Sequence, residues 1–481
     1  MQSTRPMFLS LLAAATLAAC GGGDGDDNTP EETRLQDSRN SFVPAEPNAT
    51  TFAALAADSG DTVDNATTSR WAGVLNGAAY RIEVPANWNG RLVMYAHGYA
   101  GEGNQLGVSN PSIRRHLIQN GYAWAASSYS KNFYDVRVGV EDTNALALAF
   151  NRIASTNGRN LAAPTRLYIT GHSMGGHITA AAIEQEALED ANNKVRYHGA
   201  VPMCGVMGDT ELFDYFAGAQ VAAQALAGVP NNPFTGWATV RDQVTSTLFT
   251  SFPGTPTATG AKFMSVVENL TGGDRPLFEL GVAYGGSFSP VWGVFGGDGT
   301  VNGILNKSIL DTNRFTYAIA GDTAGSAALN AAAQKLTAVP DANRERRDGL
   351  RWIPKANGEI GIPVVSLHTL GDLYVPFSMQ QIYKRRVVAE GNDRWLVQRA
   401  IRGISHCDFT VAEQVEAFDA MVQWEQGGPK PAGDDVLTAA TVAAPSYGCT
   451  FTRNQLGPDD GNTTRQLRGV VAQAGAGCGA P

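Results

Sequence analysis

The run Gly171-His172-Ser173-Met174-Gly175-Gly176 sets a hydroxyl between two flanking glycines, the G-x-S-x-G spacing in which a serine attacks as a nucleophile. A serine hydroxyl is a weak nucleophile near neutral pH, so it needs a base to take its proton and a third group to orient that base. Histidine suits the task, and the chain has seven. His116 and His198 sit inside element patterns and read as packing or surface residues. His172 and His177 flank the serine, where they suit a pocket wall better than a base. His97 opens the glycine-rich stretch His97-Gly98-Tyr99-Ala100-Gly101, and His368 ends an apolar run. His406 lies in Gly403-Ile404-Ser405-His406-Cys407-Asp408-Phe409. The acids in reach of comparable turns are Asp372, in Leu370-Gly371-Asp372-Leu373-Tyr374-Val375-Pro376, and Asp209, just beyond Cys204. An aspartate in a turn is by default a turn former, so residue type alone leaves that choice open.

These residues need elements to hold them. The apolar run 166–170 (RLYIT) enters the serine turn and a helical segment at 174–189 leaves it. Glycines at 171 and 175 let strand and helix approach without a clash. The helix start then presents N–H groups beside the hydroxyl, where they would stabilise a developing oxyanion. Similar short apolar runs at 78–84, 91–96, 122–128, 198–203, 362–368 and 395–401 predict strands buried on both faces, as in a parallel sheet. Between them lie helical segments at about 111–120, 139–156, 376–390 and 409–425. In the last, Val411, Val415, Phe418, Met421 and Val422 have amphipathic spacing. Alternating strands and helices predict a doubly wound α/β sheet. The alternation is lost from 205 to 360, a Gly-, Thr- and aromatic-rich interval too long for a loop, which predicts an inserted subdomain.

On the Ser173 turn and its flanks, the chain resembles the α/β-hydrolase superfamily, which orders its triad Ser, acid, His. The resemblance covers the core on both sides of the interval. It implies a mostly parallel sheet with a large lid inserted after the sixth core strand. It also implies Ser173 as nucleophile, Asp372 ahead of Asp209 as the acid, and His406 as the base, because His406 follows the last strand and precedes the last helix. The stretch from His97 is similar to the superfamily's H-G-x-x-G loops, which implies an oxyanion hole from the N–H groups of Tyr99 and Met174. His97, His172 and His177 are then expected near the substrate. His406-Cys407 is also similar to the tannase and feruloyl esterase group, where a cysteine after the histidine pairs with one before the serine. Position 172 is His rather than Cys, so that likeness is partial and its substrates are not carried over.

The N-terminus sets the compartment. Arg5, the apolar run Phe8–Ala19 and Leu17-Ala18-Ala19-Cys20 resemble a bacterial lipoprotein signal, implying removal of residues 1–20 and lipidation of Cys20. Gly21 after the cysteine points to the outer membrane or cell surface of a Gram-negative-type bacterium. Residues 21–46 read as a flexible tether, 47–204 and 361–427 as the two parts of the core, and 428–481 as an extension. In an oxidising compartment the remaining cysteines predict two disulfides, with three pairings open. The order of the superfamily fold favours Cys204–Cys407 and Cys449–Cys478. A net charge of −9 without a basic tract argues against nucleic acid as a partner. No His, Cys or acid cluster has metal-ligand spacing, so no metal or cofactor is expected. The expected activity is a serine carboxylic-ester hydrolase acting on a small-molecule or polymeric ester. The rivals are a peptidase or amidase on the same triad, a lipid-anchored binding protein on a hydrolase scaffold and, more distantly, a cofactor-free haloperoxidase.

Overall fold

Eight short segments, seven of them with apolar residues pointing both ways, associate into one twisted sheet. The computed structural model describes residues 30–45 and 51–478. The chain divides into the units Met1–Glu32 and Thr33–Pro481, and the fold below is that of the second. Its strands are β1 (Ser69–Leu75), β2 (Ala78–Val84), β3 (Arg91–Ala96), β4 (Ala123–Ser127), β5 (Arg166–His172), β6 (Gly199–Met203), β7 (Val364–Thr369) and β8 (Leu396–Ile401). They lie in the order β1-β2-β4-β3-β5-β6-β7-β8. β2 runs antiparallel to both neighbours, and β3 to β8 are mutually parallel. This is the α/β-hydrolase fold. The strand that sequence reading missed, β1, is the sheet edge: Trp71 alone is buried in it, so it carries no apolar pattern.

Helices cover both faces, as a parallel sheet requires. Leu92 and Met94 of β3 face one core with α2 (Val136–Thr156) and α3 (Met174–Ala181), through Val140, Phe150 and Ile178. Val93 and Tyr95 face the other, with Leu117 of α1 (Arg114–Gln119) and Phe418, Met421 and Val422 near the chain's end.

The insertion follows β6, the sixth core strand, and is mainly helical: α4 (Glu211–Leu226), α5 (Trp237–Leu248), α6 (Ala258–Leu270), α7 (Phe278–Tyr284) and α8 (Phe288–Gly293). Its aromatics chiefly form its own core. Trp292 stands with its ring 5.1 Å from those of Trp237 and Phe252 and 5.7 Å from Phe263. After β7 come α9 (Ser378–Ala389), β8 and α10 (Val411–Glu425), and the extension ends in α11 (Asn462–Gln473). The extension covers the exposed edge of β8: Asp434 N–H donates to Gln398 O at 2.7 Å, and Ala400 N–H to Asp434 Oδ2 at 2.8 Å.

The signal segment and Cys20 lie outside the described residues. The expectation of a tether to residue 46 needs correcting from Thr33 onward. Arg34 is buried and paired with buried Asp135 at 2.8 Å, and Val43–Pro44 pair in parallel with Gln105–Leu106. A count of apolar residues missed this anchor because it is made by charge and backbone hydrogen bonds.

Candidate active site

The serine turn is built as its glycines dictate. Ser173 adopts φ 59° and ψ −121° between β5 and α3, a conformation costing about 1–3 kcal/mol that the surroundings must hold in place. A Cβ on Gly175 would lie 2.0 Å from Ala96 O, so nothing larger than hydrogen fits where the elbow crosses β3. Ser173 N–H donates to Met203 O at 3.0 Å, tying the turn to the end of β6.

Three loops at the carboxyl ends of the strands converge on this hydroxyl. His406 Nε2 lies 2.8 Å from Ser173 Oγ, and His406 Nδ1 lies 2.5 Å from Asp372 Oδ2. Asp372 is wholly buried, and its Oδ1 accepts from Tyr374 N–H and Val375 N–H, both at 3.0 Å. An ionised carboxylate so placed fixes the proton on Nδ1 and leaves Nε2 free to accept from the serine. The rival acid stands elsewhere: Asp209 pairs with Arg386 at 2.6 Å, and that guanidinium is the main influence holding its carboxyl below the usual range against its burial.

The glycine-rich loop after β3 passes over Ser173. A Cβ on Gly98 would stand 3.2 Å from Ser173 Cβ. Among the described residues, neither Tyr99 N–H nor Met174 N–H has an acceptor.

Cys204 and Cys407 are joined, as are Cys449 and Cys478. The first bridge ties the residue after His406 to the end of β6. Sulfur and nitrogen atoms of Cys204, His406 and Cys407 come close enough to resemble a metal site, but the disulfide engages both sulfurs.

A cavity of about 400 Å³ opens from Ser173 toward the insertion, walled by Tyr99, Tyr134, Phe213, Phe216 and Tyr374, with residues 293–299 at its rim. Tyr374 stacks on Phe216 at 5.6 Å and meets the His406 ring edge-on at 5.9 Å. Sequence reading missed Tyr374, although it lies two residues past the acid. It also missed Tyr134, which had no local signal.

The three histidines expected near substrate do not reach this cavity, and that expectation is corrected. His172 is held behind the elbow, its Nε2–H donating to Gln414 Oε1 at 3.0 Å and its Nδ1 accepting from Tyr95 Oη at 3.2 Å. Burial pushes it down to about 4. His177 lies 2.7 Å from Pro354 O and 2.8 Å from the Tyr134 hydroxyl, and burial lowers it too. His97, also lowered by burial, stacks on Tyr129 with both ring nitrogens against the carbonyls of Gly98 and Ser128. In each case polar partners inside the fold claim the ring before a ligand could.

No family model matches the sequence. A stretch of 88 residues, 18% of this chain, is 32% identical to o-phthalyl amidase of Xanthobacter agilis, and it spans 19% of that protein's length. Among solved structures, feruloyl esterase B of Aspergillus oryzae is similar with a TM-score of 0.42 and 16% identity, over 78% of this chain and 84% of that one. Candida antarctica lipase A aligns with a TM-score of 0.36 and 13% identity, over 82% of this chain and 81% of the lipase.

Proposed function

We propose that this protein is a serine carboxylic-ester hydrolase working through an acyl-enzyme. The observation that carries the reading is the unbroken hydrogen-bond chain from Ser173 through His406 to buried Asp372. In this mechanism His406 Nε2 takes the proton of Ser173 as Oγ attacks the ester carbonyl. The N–H groups of Tyr99 and Met174 receive the oxyanion, a kind of contact worth roughly 3–4 kcal/mol per donor. His406 then protonates the leaving alcohol and later activates the water that frees the acid. The aromatic walls of the cavity accommodate an apolar acyl or alcohol group.

A p-nitrophenyl ester series from acetate to long acyl chains, run on wild type and Ser173→Ala, tests the reading. Loss of hydrolysis and of fluorophosphonate labelling in the variant is expected. A folded wild type that cleaves no ester and takes no label would overturn it.

The stretch shared with o-phthalyl amidase favours a second reading, an amidase on the same residues. Matched aryl ester and amide substrates separate the two, since the amide reading requires measurable turnover of the amide and the ester reading does not. Lipid attachment at Cys20 belongs to the same proposal and predicts fatty-acid incorporation that Cys20→Ala abolishes.

A further inference from the structure

The acid turn carries Asp372, yet much of what holds it comes from the insertion. Tyr215 Oη of α4 donates to Leu373 O at 2.9 Å, and Leu373 N–H donates to Ser287 Oγ at 3.0 Å. Gly281 of α7 lies so close that a Cβ there would stand 2.4 Å from Gly371 O. Arg275, between α6 and α7, brings the charge. It is 4% exposed and donates from Nε to Leu370 O at 2.8 Å, from Nη1 to Gly273 O at 2.9 Å and from Nη2 to Thr271 Oγ1 at 3.1 Å.

All three partners are neutral. A guanidinium taken out of water with no carboxylate touching it is strongly disfavoured unless opposite charge lies within range. The acidic groups within range of it are Glu268 first, then Tyr215, Asp372 and Asp274 more weakly, with the Phe278 ring 5.1 Å from the guanidinium carbon. Glu268 is half-buried and Asp274 exposed, so water screens both. Asp372 is wholly buried, so water does not screen its attraction to Arg275 in that way.

We infer that Arg275 is a positioning residue for the triad, fixing the acid turn through the Leu370 carbonyl and keeping a positive charge within range of the Asp372 carboxylate. This rests on the serine-hydrolase reading above. Arg275 touches neither substrate nor His406. It acts through the turn whose other end places Oδ2 against His406 Nδ1.

The test compares wild type, Arg275→Met and Arg275→Lys on p-nitrophenyl acetate, and follows the low-field proton resonance of the His406–Asp372 hydrogen bond without substrate. Arg275→Met is expected to lower kcat on the order of 30-fold, with KM within twofold and the low-field resonance lost. Arg275→Lys, which keeps the charge and one donor, should recover kcat to within about threefold of wild type and restore the resonance. Should Arg275→Met fail to fold, Arg275→Gln, a donor without charge, is read in the same way. A folded Arg275→Met with kcat within threefold and the resonance intact overturns the inference. So does a loss of activity that merely follows the fraction of titratable sites, which would make Arg275 a packing residue. If the wild type cleaves no ester, the esterase reading fails by itself and the resonance still decides the role of Arg275.

Discussion

The proposed nucleophile and its two proposed partners are held in different ways. Ser173 is fixed by its neighbours in sequence and by two adjoining strands: its own φ and ψ, the tight crossing at Gly175 and a bond to Met203. Asp372 and His406 depend on parts of the chain far away. The insertion reaches the acid turn through Tyr215 and Ser287, at separations of 158 and 86 residues. The His406 loop is held by a disulfide spanning 203 residues, and by Arg468 of α11, which donates to Asp408 O at 2.8 Å and pairs with Glu413. The elbow is a local motif, whereas its partners are products of the tertiary fold. The insertion therefore supports the acid turn as well as walling the cavity, and the extension supports the His406 loop.

The largest expected effects test whether the partners matter as much as the nucleophile. Asp372→Asn should lower kcat about 10⁴-fold, the size seen for the same change in a serine protease triad, with the far-UV spectrum unchanged. Asp209→Asn is the control. It should leave kcat within a few-fold but cost about 1.5–3 kcal/mol in urea unfolding, because Arg386 loses one of its two carboxylate partners and keeps Glu211. Near-normal turnover in Asp372→Asn would break the comparison at once.

Next come the two close approaches. Gly281→Ala sets a methyl against a backbone oxygen of the acid turn, which should displace the turn and lower kcat about 100-fold. Gly175→Ala sets one against β3 itself, in the middle of the fold, and should cost about 3 kcal/mol or more of stability. If Gly281→Ala changed stability alone and left kcat intact, the insertion would be a cover and not a support.

The disulfides give a finer contrast. By chain entropy the Cys204–Cys407 loop contributes about 5 kcal/mol and the 29-residue Cys449–Cys478 loop about 3.5 kcal/mol, both as upper values. Replacing the first pair by serine should also lower kcat about tenfold, because the base loop loses its tie to β6. Replacing the second pair should change melting temperature alone. Equal kinetic effects from the two would remove the special position of Cys407.

The same division explains how far the sequence could be read. The seven strands buried on both faces and the amphipathic α10 announce themselves because their patterns are set by burial along a continuous segment. Ser173 was legible for the same reason, since glycine spacing and flanks all lie within one motif. Asp372 and His406 needed knowledge of strand order, which residue type alone does not supply. The pocket walls Tyr134 and Tyr374, the clamp at Arg275 and the anchor at Arg34 could not be read. Each is defined by a partner distant in sequence, and a lone tyrosine or arginine carries no mark of where it will lie. The three histidines misplaced at the substrate illustrate the reverse error: closeness in sequence to the nucleophile is not closeness to the cavity.

Two buried histidines make a last, smaller test of the two regions. His172 lies behind the elbow and His368 behind the acid turn, where His368 Nε2 stands 2.7 Å from Val375 O. Burial pushes both down to about 4 from the ordinary 6.5. In the unfolded chain each takes a proton as pH falls through 6.5, while in the fold each stays neutral until about 4. The unfolded state therefore binds more protons in that window, and stability present above pH 6.5 is lost as pH falls towards 4. The gap corresponds to at most about 3 kcal/mol per ring. Urea unfolding at pH 7 and pH 4.5 should show this loss in wild type and a shallower one in both His172→Gln and His368→Gln. If the two regions are independent, the double variant should flatten the dependence by the sum of the single effects. A double variant no flatter than either single one would mean that elbow and acid turn give way together, so that the distant supports and the local motif form one cooperative unit.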